Sequence, residues 1–255
     1  VSVTMDGVEI DADGFTFAGG KLSVARSAFG YNYGAKQIVL TDDDGKTITI
    51  AATLVSKVLK NATDYANWIK IANACETENQ ILGGDFQLGA NITVETMVTF
   101  ERYDVDGLYG FKGVFDGCGY ALDGLTATGN AFISCMTKDG VLRNIAFTNA
   151  KVAGESNFLC SGGLGTIENV YVQYVSISAG SDNNGTIYNH CRHGQEGGKI
   201  TGIFVDASQA ALSGTGASFR LIGGNNNGYN GIFAVCPENY APAQAIGDRG
   251  NNYEA

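Results

Sequence analysis

Three stretches of the chain read alike: LRNIAFTNAKV at 142–152, IENVYVQYVSI at 167–177 and the weaker ITGIFVDASQA at 200–210, each opening on an aliphatic residue close behind a glycine. Aligned on Ile145, Val170 and Ile203, they lie 25 and 33 residues apart. A recurrence of this length marks stacked units that cannot bury an apolar face alone. Its irregularity suits coils joined by loops of variable length. Phe132, Phe158, Ile187 and Phe219 recur at 26, 29 and 32 residues, which gives each coil a second strand. A propeller would need four antiparallel strands per repeat and denser hairpin turns, so the pattern predicts a right-handed parallel β-helix.

Composition points the same way. With 36 glycines, 2 prolines and 16% charged residues in 255, the chain favours many short strands between tight turns, an all-β class. A 44% apolar content is enough for a sizeable core. The formal charge of −10 repels phosphate backbones, and no basic cluster offsets it, so nucleic acid is not an expected partner. No window is long and apolar enough to span a bilayer, and the start at Val1 has no signal-like pattern, as in a mature or trimmed chain; no membrane insertion is expected. Six cysteines stand singly, without a C-x-x-C pair for zinc. Cys135 and Cys160 each precede their aligned aliphatic residue by ten positions, which predicts that they stack in neighbouring coils, as a disulfide or, preferably, as buried thiols.

Three segments are expected. Residues 1–52 alternate as short strands, with 42-DDDG-45 as a hairpin turn between β-branched runs. They are read as a small antiparallel sandwich; Asp42, Asp43 and Asp44 lack the alternating spacing of a calcium loop. Residues 53–80 form a linker with a short helix near 64–74, capped by Asn61 or Thr63, that plugs the open end of the stack. Trp68 belongs to that plug, with a sugar platform as the alternative. Residues 81–255 form the β-helix.

Two resemblances add to this. The runs 3-VTMDGVEID-11, 13-DGFTFAGGKLSV-24 and the hairpin from Gly34 resemble the immunoglobulin-like modules beside catalytic or binding domains of secreted bacterial polysaccharide-active and surface proteins. The runs 115-FDGCGYALDGL-125, 140-GVLRNIAF-147 and 165-GTIENVYV-172 resemble the glycine-rich repeats of secreted and wall-anchored bacterial β-helix proteins. That group holds adhesins, glycan binders and polysaccharide-cleaving enzymes. The resemblance therefore implies a fold and an extracellular, secreted or surface-attached location, and it selects no activity.

The repeat register allows a search for chemistry. With Leu142, Ile145 and Phe147 inward over Ile167, Val170 and Val172 and then Ile200, Ile203 and Val205, the outward columns become Arg143/Glu168/Thr201, Ala146/Tyr171/Phe204 and Thr148/Gln173/Asp206. Glu168 and Asp206 would lie roughly 16 Å apart along the strand, too far for the paired carboxylates of a glycosidase. Arg143 and Glu168 are read as a cross-coil ion pair. Tyr171 and Phe204 beside Gln173 suit a glycan through stacking and amide hydrogen bonds. A second set, Tyr103, Asp104 and Asp106 in the acid-rich stretch 101–110, suits a sugar ring or is an exposed loop. His190 and His193, around Cys191, point to opposite faces of an extended strand and are read as a polar turn with a buried thiol, a loop that gathers them around a metal being the alternative; neither a phosphate loop nor a serine nucleophile elbow occurs.

The resulting expectation is an immunoglobulin-like module followed by a capped right-handed β-helix, a monomer that binds a polysaccharide or a host or cell-wall glycan or serves in adhesion or display, without cofactor or catalysis. Its alternatives are a β-helix lyase or hydrolase and a structural stalk.

Overall fold

In the computed structural model, the alternating run SVTM forms β1 (Ser2–Met5), followed by β2 (Val8–Glu9), β3 (Phe15–Ala18), β4 (Lys21–Val24), β5 (Gly34–Thr41) and β6 (Thr47–Leu54). The structure describes residues 1–25, 28, 33–74, 81–94, 97, 110–129, 131–133, 135–154, 157–160, 165–179, 185–187, 199–213, 219, 221 and 229–236. These divide into two compact units, Val1–Ser56 and Lys57–Ala255.

The first unit is a four-stranded antiparallel sheet in the order β2-β1-β5-β6, with β3 and β4 as a separate hairpin. Val3, Met5, Ile38 and Leu40 alternate onto one face and share a small core with Ile10, against which Phe15, Leu22 and Val24 pack. The turn between β5 and β6 is held by Asp42, whose Oδ1 accepts the N–H groups of Asp44 at 3.0 Å and Lys46 at 2.8 Å. Gly45 supplies the left-handed backbone with φ of 78°. The carboxylate of Asp42 is thus engaged in the turn, as the hairpin reading expects.

The second unit begins with β7 (Lys57–Leu59) and α1 (Ala62–Ala74). Asn61 caps the helix, its Oδ1 accepting the N–H of Asp64 at 2.9 Å, and Asp64 in turn accepts the N–H of Lys60 at 3.0 Å. Tyr65, Trp68, Ile69 and Ala72 recur at helical spacing and are all buried. Then follow β8 (Ile81–Leu82), β9 (Phe86–Leu88), β10 (Ile92–Thr93), β11 (Gly110–Phe111), β12 (Val114–Asp116), β13 (Ala121–Asp123), β14 (Thr126–Thr128), β15 (Val141–Gly154), β16 (Thr166–Ala179), β17 (Ile200–Asp206), β18 (Ala211–Leu212) and β19 (Tyr229–Val235).

These strands wind a parallel β-solenoid of about four turns. Its main wall runs β19-β17-β16-β15-β12-β9-β7. Since β7 pairs in parallel with β9, the stack starts ahead of the helix. A second wall arises where β10 pairs β13 and β13 pairs the middle of β15. Isolated parallel bridges join Ile133 to Cys160 and Cys160 to Ile187.

Ile145 pairs with Val170 and Val170 with Ile203, and all three are buried. So are the other six side chains assigned inward from the repeats. Glycine recurs two positions before the first inward residue of β9, β12, β15 and β16. The registers place Gly84, Gly113, Gly140 and Gly165 at one level of successive coils. Inside, an aromatic series crosses from wall to wall, Trp68 to Phe115, Phe132, Phe147, Phe158, Tyr174 and Phe219, with successive ring centroids 5.0 to 5.7 Å apart. Each edge-to-face pair of this kind adds about 0.5–1.5 kcal/mol beyond burial.

Two register expectations are corrected. Phe132 and Phe158 are core residues, but the paired positions are Ile133, Cys160 and Ile187, so Phe158 sits two places before the residue that faces Ile187. For the same reason Cys160 lies level with Ile133 and not with Cys135; both cysteines are buried thiols. Among the described residues no helix is long and apolar enough to cross a membrane.

Candidate functional site

Outward positions of β15, β16, β17 and β19 form columns because a parallel ladder repeats each side-chain direction at every coil. The second column reads Ala121, Ala146, Tyr171, Phe204 and Phe233. Ala121 and Ala146 leave it flat at one end. The three aromatics then rise along the stack, with Phe204 39% and Phe233 64% exposed.

Tyr171 and Phe204 stack with centroids 5.7 Å apart and planes 18° apart. Atoms in contact sit at about 3.5–4.0 Å, so rings this far apart overlap like shingles and each leaves part of its face uncovered. The Tyr171 hydroxyl donates a long bond of 3.5 Å to Asp206 Oδ2. Burial, and then the Asp206 carboxylate, push the Tyr171 phenol up. Asp206 is itself held below the usual carboxylate range by the Ser208 hydroxyl at 2.7 Å and the Ser208 N–H at 3.0 Å. It is an anchored anion beside the rings.

Gln173 pairs with Asp206 in the third column, as the repeats predict. Opposite Gln173 the ladder of β15 on β16 is irregular between Phe147 and Ala150: Thr148 and Asn149 stand against the single residue Gln173, and Asn149 takes a φ of 51°. The structure thus brings Tyr171, Gln173, Phe204 and Asp206 onto one wall. It adds Phe233, which sequence reasoning missed although GIFAV repeats the apolar pattern of GIFV one coil earlier. Tyr103, Asp104 and Asp106 lie outside the described residues, as do His190, Cys191 and His193.

The first column corrects another expectation. Arg143 is level with Glu168, yet its Nε donates to Asp116 Oδ2 at 2.8 Å, in the preceding coil. Asp116 Oδ1 also accepts from the Cys118 N–H at 2.9 Å and the Asn144 amide at 3.1 Å, and Asn144 Oδ1 accepts from Asn169 at 3.2 Å. Burial alone would raise the Asp116 carboxyl, but the Cys118 N–H, Asn144 and Arg143 together hold it below its ordinary value. Asn144 and Asn169 sit at φ of 52° and 53°, where the strand bends and few residues but asparagine and glycine are at ease. The network is a brace for that bend.

A pH prediction follows. The folded Asp116 titrates below the unfolded one, so its contribution is whole above the ordinary carboxylate range and is lost as pH falls from there through the folded value. Asp116→Asn should cost about 1–2 kcal/mol at neutral pH, reduced by the solvent around the Arg143 side chain, which is 41% exposed. Urea unfolding of both proteins from pH 7 downward should show the gap closing in acid. A gap independent of pH would mean that the Asp116 charge contributes nothing.

Asp123, one coil before Thr148, accepts the Thr148 hydroxyl and the Asn149 amide at 2.7 Å each. The wall therefore carries Asp116 and Asp123 besides the Glu168 and Asp206 found from the repeats, and both additions are tied into the turns. Among the described residues no group of three His, Cys, Asp or Glu side chains is placed to hold a metal ion. A cleft of about 310 Å³ in the first unit is lined by Glu9, Asp11 and Asp13 with Ile10, Gly14 and Ala28. It offers carboxylates alone, whereas the solenoid wall joins aromatic faces to amide and carboxylate groups. Comparison with protein-family models, with curated proteins and with solved structures finds no match for this chain.

Proposed function

We propose that the chain is an extracellular glycan-binding or display protein of a bacterial cell surface, working without catalysis, and that the outer wall of β16, β17 and β19 is its contact surface. The observation that carries this reading is the common register of Tyr171, Phe204 and Phe233, one ring per coil. An extended β-linked sugar chain lying along the stack offers apolar ring faces at a comparable step. Aromatic burial then supplies affinity, and the Gln173 amide supplies direction through sugar hydroxyls.

Charge narrows the ligand. Glu168 and Asp206 flank the rings, and Arg143 in the neighbouring column is already engaged by Asp116. A polyuronate would meet like charge at each side, so the reading favours a neutral polysaccharide. The N-terminal unit, with its antiparallel sheet and hairpin around Val3, Met5, Ile38 and Leu40, serves in this proposal as an immunoglobulin-like spacer.

Affinity electrophoresis through gels cast with neutral β-glucan, xylan or mannan, and with polygalacturonate or alginate, tests it. The protein should be retarded by a neutral polymer and not by the uronates. Phe204→Ala combined with Phe233→Ala should weaken binding about thirtyfold, from two stacking contacts of ~1 kcal/mol each. Retention unchanged in that double variant would refute the site. Reducing ends appearing in the same incubations would mark a hydrolase instead.

A further inference from the structure

We propose that β6 is a docking edge that pairs antiparallel with the β6 of a second copy of this chain, joining two N-terminal sheets into one. The sheet order ends at β6, so among the described residues nothing pairs with its outer edge. The direction of its free groups follows from the ladder. Gln37 C=O accepts the Asp6 N–H, so odd-numbered residues of β5 point their hydrogen-bonding groups at β1 and even-numbered ones at β6. Ile38 faces Ile50 and Leu40 faces Ile48. Even-numbered residues of β6 are therefore bonded inward, and Thr47, Thr49, Ala51 and Thr53 turn their N–H and C=O groups outward.

Natural sheets blunt such an edge with lysine, proline, a bulge or an inward charge. The eight residues of β6, TITIAATL, contain none of these, and the pairing with β5 runs unbroken from Thr41↔Thr47 to Gly34↔Leu54. Its side chains are bare as well. Ile48 and Ile50 continue the apolar face of Val3, Met5, Ile38 and Leu40, yet they are 66% and 40% exposed while those four are buried.

The strand is complementary to itself. A two-fold axis at Thr49 puts Thr49 opposite its own copy and Thr47 opposite Ala51, through the outward groups. It sets Ile48 against Ile50 of the other copy in the non-hydrogen-bonded pairs, where side chains approach closest. Four isoleucines then cover one another, with no like charges in the contact despite the net −10 of each chain. A contact of one strand pair is smaller than the ~1,200–2,000 Å² of stable interfaces, so the association is concentration-dependent and replaces the expectation of a monomer.

Sedimentation of the full chain over a concentration series should show the mass rising towards twice that of the monomer. Thr49→Pro removes an N–H that points away from β5, which an edge strand tolerates, and should hold the protein monomeric with its circular dichroism unchanged. Ile50→Lys should do the same through a charge on the apolar face and serves where the proline variant fails to fold. A chain that stays monomeric throughout, or a dimer that survives the folded variants, overturns the proposal.

Discussion

Trp68→Ala should destabilise the second unit by about 3–5 kcal/mol and lower its unfolding midpoint by roughly 10 °C. The indole is fully buried and lies 5.0 to 5.9 Å, centroid to centroid, from Phe86, Phe111, Phe115 and Phe132, which belong to different coils and walls. Removing it empties the point where helix α1 closes the stack. Tyr65, Ile69 and Ala72 remain on the same helical face, with the Tyr65 ring stacked on Phe132 at 6.5 Å. The aromatic interior beneath the helix then opens to water together with the edge of β7, and the first coils fray. Trp68→Phe keeps a ring in the site and should cost about half as much. Urea unfolding followed by far-UV circular dichroism measures both. A loss below about 1 kcal/mol for the alanine would show that the helix does not close this end. The burial also removes Trp68 from any role as a sugar platform, since no ligand reaches a ring that is 0% exposed.

The stack was legible because three strands repeat an inward triplet with enough length to align. Leu142, Ile145 and Phe147 match Ile167, Val170 and Val172, then Ile200, Ile203 and Val205, and the two-residue gap after the first member of each triplet, one more than strand alternation allows, marks the bend at Asn144, Asn169 and Gly202. Once that frame is known, Tyr171 and Phe204 follow as outward neighbours. Phe233 was within reach of the same alignment, at a step of 29 residues from Phe204, but the asparagine-glycine run at 223–231 reads as a turn and masks the strand that follows. The partner of Arg143 was harder. Asp116 stands at the end of the three-residue strand β12, in a coil broken by the FDGCGY turn, so no long run fixes its register against β15. The register read from Phe132 and Phe158 fails for a related reason. Its contacts are isolated bridges, and the residue that pairs, Ile133, is not the bulky Phe132 that draws the eye. The exposed edge of β6 has no sequence signature except an absence, the missing charge in TITIAATL, whose meaning depends on which strand of the sheet lies outermost.

Among the described glycines, Gly113→Ala should be the most damaging addition of a single methyl. The backbone at Gly113 lies outside the left-handed region, so conformational preference is no obstacle to alanine there. Space is the obstacle: a Cβ at this position would sit 1.8 Å from the carbonyl oxygen of Gly84, one coil earlier. Parallel strands stand about 4.8 Å apart, and the obstructing atom is backbone in the adjacent coil, so relief requires the coils to separate. Val141 N–H bonds to the Gly113 carbonyl at 3.0 Å from the other side, which holds Gly113 in place between its neighbours. Overpacking with side-chain relief costs about 1–3 kcal/mol, and a clash between backbones exceeds that range. Gly129→Ala is the control within the same unit. Gly129 has a φ of 83° and nothing within 4 Å of its virtual Cβ, so it bears conformational strain alone, about 1–2 kcal/mol. Fluorescence of the single tryptophan, Trp68, reports the buried end of the stack in both variants. The Gly129 variant should keep a cooperative transition at a lower urea concentration, and the Gly113 variant should lose the native emission before urea is added. Equal effects of the two would mean that the coils are not packed closely enough at Gly113 to exclude a methyl group.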